Sequence, residues 1–461
     1  MSTKHAIAAA HFLENKENEA WHDHTLWMVR TKRDKMSHSL PEWERLRELA
    51  SEIKLYSNSH LDTLLEEFEK NAIANGAIVH WAKDAEEHNE IVLRILRQHD
   101  ARNLIKSKSM LTEECHMNEF LMSKGIDVVE SDLGERILQL MHLAPSHIVM
   151  PAIHIKREQI SEMMEREMGT EKGNIDPTYL THAARKNLRE KFLHADVAMT
   201  GANFAVASTG EIVVCTNEGN ADMGTSFPKV HIATMGMEKI VPNLEALGVF
   251  TRLLARSGTG QPITSYTSHY RRPPEGQEFH IIIVDNGRSD ILAKPDHIRT
   301  LNCIRCGECM NTCPVYRRSG GYSYTYFIPG PIGINLGMAH DPEKYYDNLS
   351  ACSLCISCSD VCPVKVDLAE QIYKWRQDLD GLGKANTGKK IMSGGMKFLM
   401  ERPALFNAAL WAAPVINGLP RFMKYNDLDD WGKGRELPEF AKESFNEMWK
   451  KNKVQGKEET K

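Results

Sequence analysis

Eight of the ten cysteines fall into two short runs that share one spacing, and no other feature limits the chain as much. The first run is Cys303-Ile-Arg-Cys306-Gly-Glu-Cys309-Met-Asn-Thr-Cys313-Pro314. The second is Cys352-Ser-Leu-Cys355-Ile-Ser-Cys358-Ser-Asp-Val-Cys362-Pro363. Each reads C-x2-C-x2-C-x3-C-P, the pattern in which three closely spaced thiolates wrap one [4Fe–4S] cubane. The fourth, at a helix start and followed by proline, cannot turn back and reaches the other cluster. The spacing therefore assigns Cys303, Cys306, Cys309 and Cys362 to one [4Fe–4S] cluster. It assigns Cys352, Cys355, Cys358 and Cys313 to a second. Gly307, Ser353, Ser357 and Ser359 leave room for a cubane and supply N–H groups for its sulfurs. Zinc ribbons place their cysteines as separated C-x2-C pairs, whereas four stand in one tight run here.

The remaining cysteines, Cys115 and Cys215, stand alone and read as small buried hydrophobes. Ten cysteines with no secretory leader indicate a reducing cytoplasm and metal or redox use rather than disulfides. The AIAAA run near the start is too short for an export signal. The most apolar stretch, Ala404–Val415, is too short to span a bilayer. Net charge is −5, which gives no basic field to attract nucleic acid.

Four regions follow along the chain. Residues 1–72 read as helical, with apolar spacing over Leu40–Phe68 at Leu46, Leu49, Ile53, Leu61, Leu64 and Leu65. Residues 73–297 alternate short β-branched runs with helical stretches, which indicates an α/β domain with a largely parallel sheet. Expected strands are Ala77–Ala82, Asn103–Ser107, Ile126–Ser131, His147–Met150 and Asp196–Thr200. Glu211–Thr216, Val230–Thr234 and Phe279–Val284 continue or edge the same sheet, and Ala85–Gln98 and Gly134–Met141 are helices. Residues 298–380 form an α-helical, ferredoxin-type two-cluster domain. The long insertion between its motifs, SGGYSYTYF and IPGPIGINLGM, either packs on neighbours or forms a surface loop. Residues 381–461 are a Gly/Lys linker, a helical segment with Phe398, Leu399, Leu405, Phe406, Leu410 and Trp411 at helical spacing, and an unstructured polar tail. The apolar face of that segment suits packing on the cluster domain, docking of a partner, or contact with a membrane surface, with packing preferred.

In open α/β sheets ligands bind at the carboxyl ends of the strands, where helix N-termini present free N–H groups. Four polar stretches are placed to serve there. Their candidate ligand residues are Lys108, Glu114, Glu135, Arg136, Asn203, Thr216, Asn217, Glu218 and Asn220, and Lys229 is a further cation near these loops. The lysines and arginine suit an anion, the amides and hydroxyl a polar substituent, and the carboxylates a proton. The same residue types serve as caps and turns, so both readings stand. No GxGxxG or P-loop follows a strand, so no nicotinamide or flavin fingerprint is present.

The stretches WHD…LW.VR.KRD near Trp21–Asp34, SKSMLTEE, DLGER and TGANFAVASTGEIVVCTNEGN, together with both cysteine runs, carry a resemblance. The chain resembles the iron–sulfur subunit of the bacterial L-lactate-utilisation system. The resemblance implies an α/β lactate-utilisation domain, similar to ribose-phosphate isomerases and coenzyme A transferases. It implies an electron-transfer role in a complex that oxidises L-lactate to pyruvate, in the cytoplasm or peripheral to the inner face of the membrane. It also implies two partners, a cysteine-rich heterodisulfide-reductase-like subunit and a second lactate-utilisation-domain protein. It transfers no catalytic residue. A self-contained hydroxy-acid-binding oxidoreductase, or a carrier serving another 2-hydroxy acid such as glycolate, remains the alternative.

Anaerobically reconstituted protein is expected to hold about eight irons per chain, four per cluster, with absorption that bleaches on dithionite. Two zincs and no iron would overturn the assignment.

Overall fold

The computed structural model describes residues 3–383, 387–424 and 439–458. They form two compact units, Met1–Asp378 and Leu379–Lys461. Ten strands run through the described residues: β1 (Ile78–Ala82), β2 (Asn103–Lys106), β3 (Asp127–Glu130), β4 (Val197–Thr200), β5 (Phe204–Val206), β6 (Glu211–Thr216), β7 (Val230–Gly236), β8 (Ile240–Val241), β9 (Tyr266–Tyr270) and β10 (Glu278–Val284).

Six of them make one sheet in the order β1-β10-β7-β4-β2-β3, with every neighbouring pair parallel. A parallel sheet is covered on both faces, so its strands read as unbroken apolar runs. β10 shows this directly. Ile282 and Val284 pack with Ile91, Leu96 and Met117 on one face, and Ile281 and Ile283 pack with Leu61, Leu65 and Phe68 on the other. The helix Ala85–Gln98 covers the first face and starts on Asp84, whose carboxylate accepts the Glu87 N–H.

The strand Glu211–Thr216 lies where expected but not in the main sheet. It joins a second, four-stranded sheet, β8-β5-β6-β9. Its companions are very short or, in Tyr-Thr-Ser-His-Tyr, polar enough to hide from periodicity. The expected strand His147–Met150 is a turn. His147 Nδ1 accepts the N–H of both Val149 and Met150, so those groups cannot join a ladder. The expected helical run Leu40–Phe68 is two helices, Trp43–Ser59 and Leu61–Ala74, broken at His60.

The insertion between the cysteine runs is a packed element. Tyr316, Tyr324, Tyr326 and Ile328 are buried, and helix Gly330–His340 is buried along nearly all of its length. It seats on the first helix, where His5 Nδ1 meets the Ser323 carbonyl at 3.1 Å, and on the 144–154 turn through Tyr322 Oη and the Ala144 carbonyl at 2.6 Å. At Gly321 a Cβ would stand 2.2 Å from the Ser146 carbonyl oxygen, so only glycine allows this approach.

In the second unit the expected helical segment is two helices, Thr387–Met400 and Pro403–Ala412, with Pro403 in the first turn of the latter. Phe398, Leu405, Leu410 and Trp411 are exposed. The polar tail is not unstructured as expected: helix Phe445–Glu458 runs through it. Ser444 and Glu447 cap that helix reciprocally, each side chain accepting the other's backbone N–H. Residues 384–386 of the linker and 459–461 of the tail lie outside the described residues. Among the described residues no helix is long and apolar enough to cross a membrane.

Candidate functional site

The cysteine runs fold as two matching loops, each leading into a one-turn helix, Glu308–Thr312 and Ser357–Val361. One small cavity is lined by Cys313 together with Cys352, Cys355 and Cys358. The lone fourth cysteine of the first run thus stands among the three leading cysteines of the second. Cys362 stands in turn close enough to Cys303 and Cys306 for their charges to interact. Backbone N–H groups already point at sulfur: Arg305 at Cys303, Leu354 at Cys352 and Val366 at Cys362, at 3.3–3.4 Å. Burial pushes the Cys306 and Cys309 thiols well above their ordinary range, and the neighbouring sulfurs push further. Cys313 and Cys362 are each raised to about 11, again chiefly by burial. Thiols so crowded ionise together only when bound cationic charge compensates them, which is what an iron–sulfur cluster supplies. The residues present fit that group.

The amino-terminal helices hold this module. The Arg33 guanidinium, buried, donates to the Val361 carbonyl at 3.0 Å and pairs with buried Glu308 at 3.4 Å. Arg47 donates to the Cys362 carbonyl at 3.1 Å, and Arg30 donates to Thr312. Sequence reasoning did not single out these arginines, although Arg30 and Arg33 lie inside the charged Trp21–Asp34 stretch.

The main cavity, about 480 Å³, opens at the carboxyl ends of β2, β4 and β7. Of the loop residues expected there, Lys108, Glu114, Asn203, Thr216, Asn217 and Glu218 line it. Cys306 and Arg305 of the first cysteine run line the same cavity. Cys215 lines it as well, half-buried rather than in the core, with its thiol raised to about 11 by burial.

Several expected residues have other work. Glu135 pairs with Lys108 at 2.8 Å, and Lys108 also donates to the Val149 carbonyl, so its charge is already engaged. Burial and the neighbouring Asp132 carboxyl raise Glu135 well above the carboxylate range. Arg136 is turned into the protein, onto Gln139 and Asn187. Asn220 is buried against Ser131. Lys229 is misplaced by the strand-end reasoning. It precedes β7, and its carbonyl bonds Glu278 at the start of β10, so it marks the amino end of the sheet.

The cations that do face the cavity beside the cysteines escaped notice in the sequence. Lys239 lines it and is lowered to about 8 by burial. Arg305 is nine-tenths buried, and its Nη1 has no hydrogen-bond partner. Glu238 accepts from Arg288 at 2.5 Å and lies 3.7 Å from Arg305. On the opposite wall Glu218 accepts the Leu133 N–H through Oε2 at 3.1 Å. Burial, then the nearby Asp132 charge, raises Glu218 to about 7.

The LUD domain family matches residues 65–289, and the 4Fe-4S dicluster domain family matches residues 299–366. The chain is 43% identical to lactate utilization protein B of Bacillus pumilus, over 90% of each chain. It is 40% identical to an electron transport protein, YkgF, of Escherichia coli, over 92% of each chain. A solved structure of a duf162 family protein from Deinococcus radiodurans aligns at 16% identity and a TM-score of 0.28, covering 49% of this chain and 98% of that one.

Two outcomes test the geometry. Cys313→Ser is expected to damage the cluster that Cys352→Ser damages, and Cys362→Ser the one that Cys303→Ser damages, read by EPR of the four variants. Damage to the Cys303 cluster by Cys313→Ser would make each run self-contained. For Glu218, the folded chain holds a proton between its unfolded value near 4.5 and about 7 that the unfolded chain lacks. Stability therefore falls as pH rises through that window. The thermal midpoint of Glu218→Gln minus that of the parent should grow from pH 5 to pH 8; a constant difference would show an unshifted carboxyl.

Proposed function

The chain belongs to the lactate utilization protein B family, iron–sulfur proteins with an electron-transfer role in lactate utilisation, and from that premise we propose a division of labour within it. It carries two [4Fe–4S] clusters, on the cysteine sets given above, and takes part in oxidation of L-lactate to pyruvate. The strand-end cavity receives the 2-hydroxy acid. The observation that carries this reading is the shared wall: Cys306 and Arg305 line the same cavity as Asn203, Asn217 and Glu218.

Oxidation of a 2-hydroxy acid to a 2-oxo acid releases two electrons and two protons, and the clusters, when bound, take up and pass on electrons singly. The Cα hydrogen leaves with its electron pair to a two-electron acceptor of the organic-cofactor class carried by a partner subunit, and the chain's own residues bind the anion and take the hydroxyl proton. Arg305 and Lys239 form the cationic wall that takes the carboxylate. Asn203 and Asn217 add polar contacts, although each is already bonded to another element: Asn203 accepts the Cys215 N–H and Asn217 donates to Gln261. Glu218, poised near neutrality, takes the hydroxyl proton on the oxygen not held by Leu133. The cysteine-rich heterodisulfide-reductase-like protein and the second lactate-utilisation-domain protein complete the complex. Cys355 is exposed, and the adjoining Ile356 is 61% exposed, so the second cysteine set lies nearest to such a partner.

The test uses Lys239→Ala and Arg305→Gln in the assembled complex, with iron content and partner binding checked. Loss of one charge-assisted contact should raise KM for lactate by about 10-fold or more. Unchanged KM in both variants, with clusters filled, would place the substrate elsewhere and leave this domain a scaffold.

A further inference from the structure

At the amino end of β10, away from the carboxyl strand ends that open onto the cavity, a second group of side chains converges. Glu278 and His280 are two apart on β10 and so share one face, the face covered by helix Ala85–Gln98. His99 caps that helix at its carboxyl end. His99 Nε2 lies 3.2 Å from Glu278 Oε2, and His280 Nε2 lies 3.3 Å from the same carboxylate. All three ligating atoms lie within 4.8 Å of one another. His280 is buried, whereas Glu278 is half exposed, so the group has a fixed floor and an open mouth.

Behind it stands a fourth histidine. His80, on the neighbouring strand β1, places Nε2 3.0 Å from His280 Nδ1. The two rings lie within 17° of parallel. When His280 donates Nδ1–H to His80, its Nε2 lone pair faces Glu278 and His99. That is the arrangement by which an outer partner fixes the tautomer and orientation of a metal-binding histidine.

We propose that His99, Glu278 and His280 form a binding site for one divalent transition ion of the zinc class, with His80 as the positioning residue for His280. A tetrahedral ion with bonds of about 2.0–2.1 Å spaces its ligand atoms roughly 3.3–3.4 Å apart. The two contacts to Glu278 already have that spacing, and a small rotation of solvent-facing His99 closes the third edge. Two imidazoles and one carboxylate select a borderline ion over calcium or magnesium, which favour oxygen ligands. Water completes the shell. The ion would clip the end of helix Ala85–Gln98 to the first turn of β10.

The experiment uses full-length protein purified anaerobically with its clusters filled, so that the cluster cysteines are occupied. Zinc alone is titrated against a chromophoric chelator, and bound zinc is examined at its own X-ray absorption edge. One equivalent with only nitrogen and oxygen ligands at about 2.0–2.1 Å supports the site. His99→Ala/Glu278→Gln, both on the solvent side, should abolish that equivalent while iron content is unchanged. His80→Ala should weaken it by about 10–100-fold. Absence of a stoichiometric zinc, sulfur in its shell at about 2.3 Å, or binding indifferent to the double variant would each overturn the proposal.

Discussion

The buried guanidinium of Arg288 is the joint on which the architecture turns. It holds Glu114 at 2.9 Å on one side and Glu238 at 2.5 Å on the other, and Glu238 lies within 3.7 Å of Arg305 inside the first cysteine run. Glu114 ends the short helix that follows β2, Glu238 follows β7, and Arg288 follows β10. One charge network therefore gathers the carboxyl ends of three parallel strands and fastens the cysteine loop across them. Burial opposes ionisation of all three groups, yet mutual attraction holds both carboxyls below their ordinary range and Arg288 above its own. Removing one partner from such a set leaves an unpaired buried charge, which costs about 3–5 kcal/mol. The cavity exists because this joint sets the cysteine loop over the strand ends rather than beside them.

The amino-terminal helices close the module from the other side. Arg33 and Arg47 bond carbonyls at the end of the second cysteine run, while Arg33 also pairs with Glu308 of the first. Lys54, buried on the third helix, donates to the Glu238 carbonyl. The cysteine loops are thus held between helices that precede the sheet and strand ends that follow them. The close approach shows in Gly258, where a Cβ would stand 2.9 Å from the Cys306 carbonyl oxygen.

What the sequence made legible follows from how far each signal reaches. The cysteine spacing is local chemistry and places all eight residues in two facing loops. Buried parallel strands such as β10 announce themselves as unbroken apolar runs. The strand-end rule brought Glu114, Asn203, Asn217 and Glu218 to one cavity because each lies on the loop or short helix that follows a strand. The rule failed where direction mattered: Lys229 precedes its strand. It failed too where a side chain turns inward, as with Arg136 and Asn220. Lys239 and Arg305 could not be found that way. They carry no motif of their own and meet only because the cysteine loop folds over β7. The second sheet was hidden for a related reason, since strands of two and three residues are too short to display a period.

The charge of the cavity wall ties fold to function. Four cations, Lys108, Lys239, Arg288 and Arg305, and four carboxyls, Glu114, Asp132, Glu218 and Glu238, line the cavity, with Arg305 inside the first cysteine run and Lys239 close enough to Cys303 for their charges to interact. A cationic surround raises the potential of a cluster held by thiolates, and it also draws an anion into the cavity. Both effects draw on the same two cations, Arg305 and Lys239. An electron added at the cysteines and a carboxylate added in the cavity compete for their field, so each opposes the other by linkage. If Arg305 and Lys239 take the 2-hydroxy acid as proposed, it is bound more tightly while the neighbouring site is oxidised and less tightly once it is reduced. That is the order of affinities that oxidation of a bound anion requires, and it follows from placing these two cations between the strand ends and the thiolates.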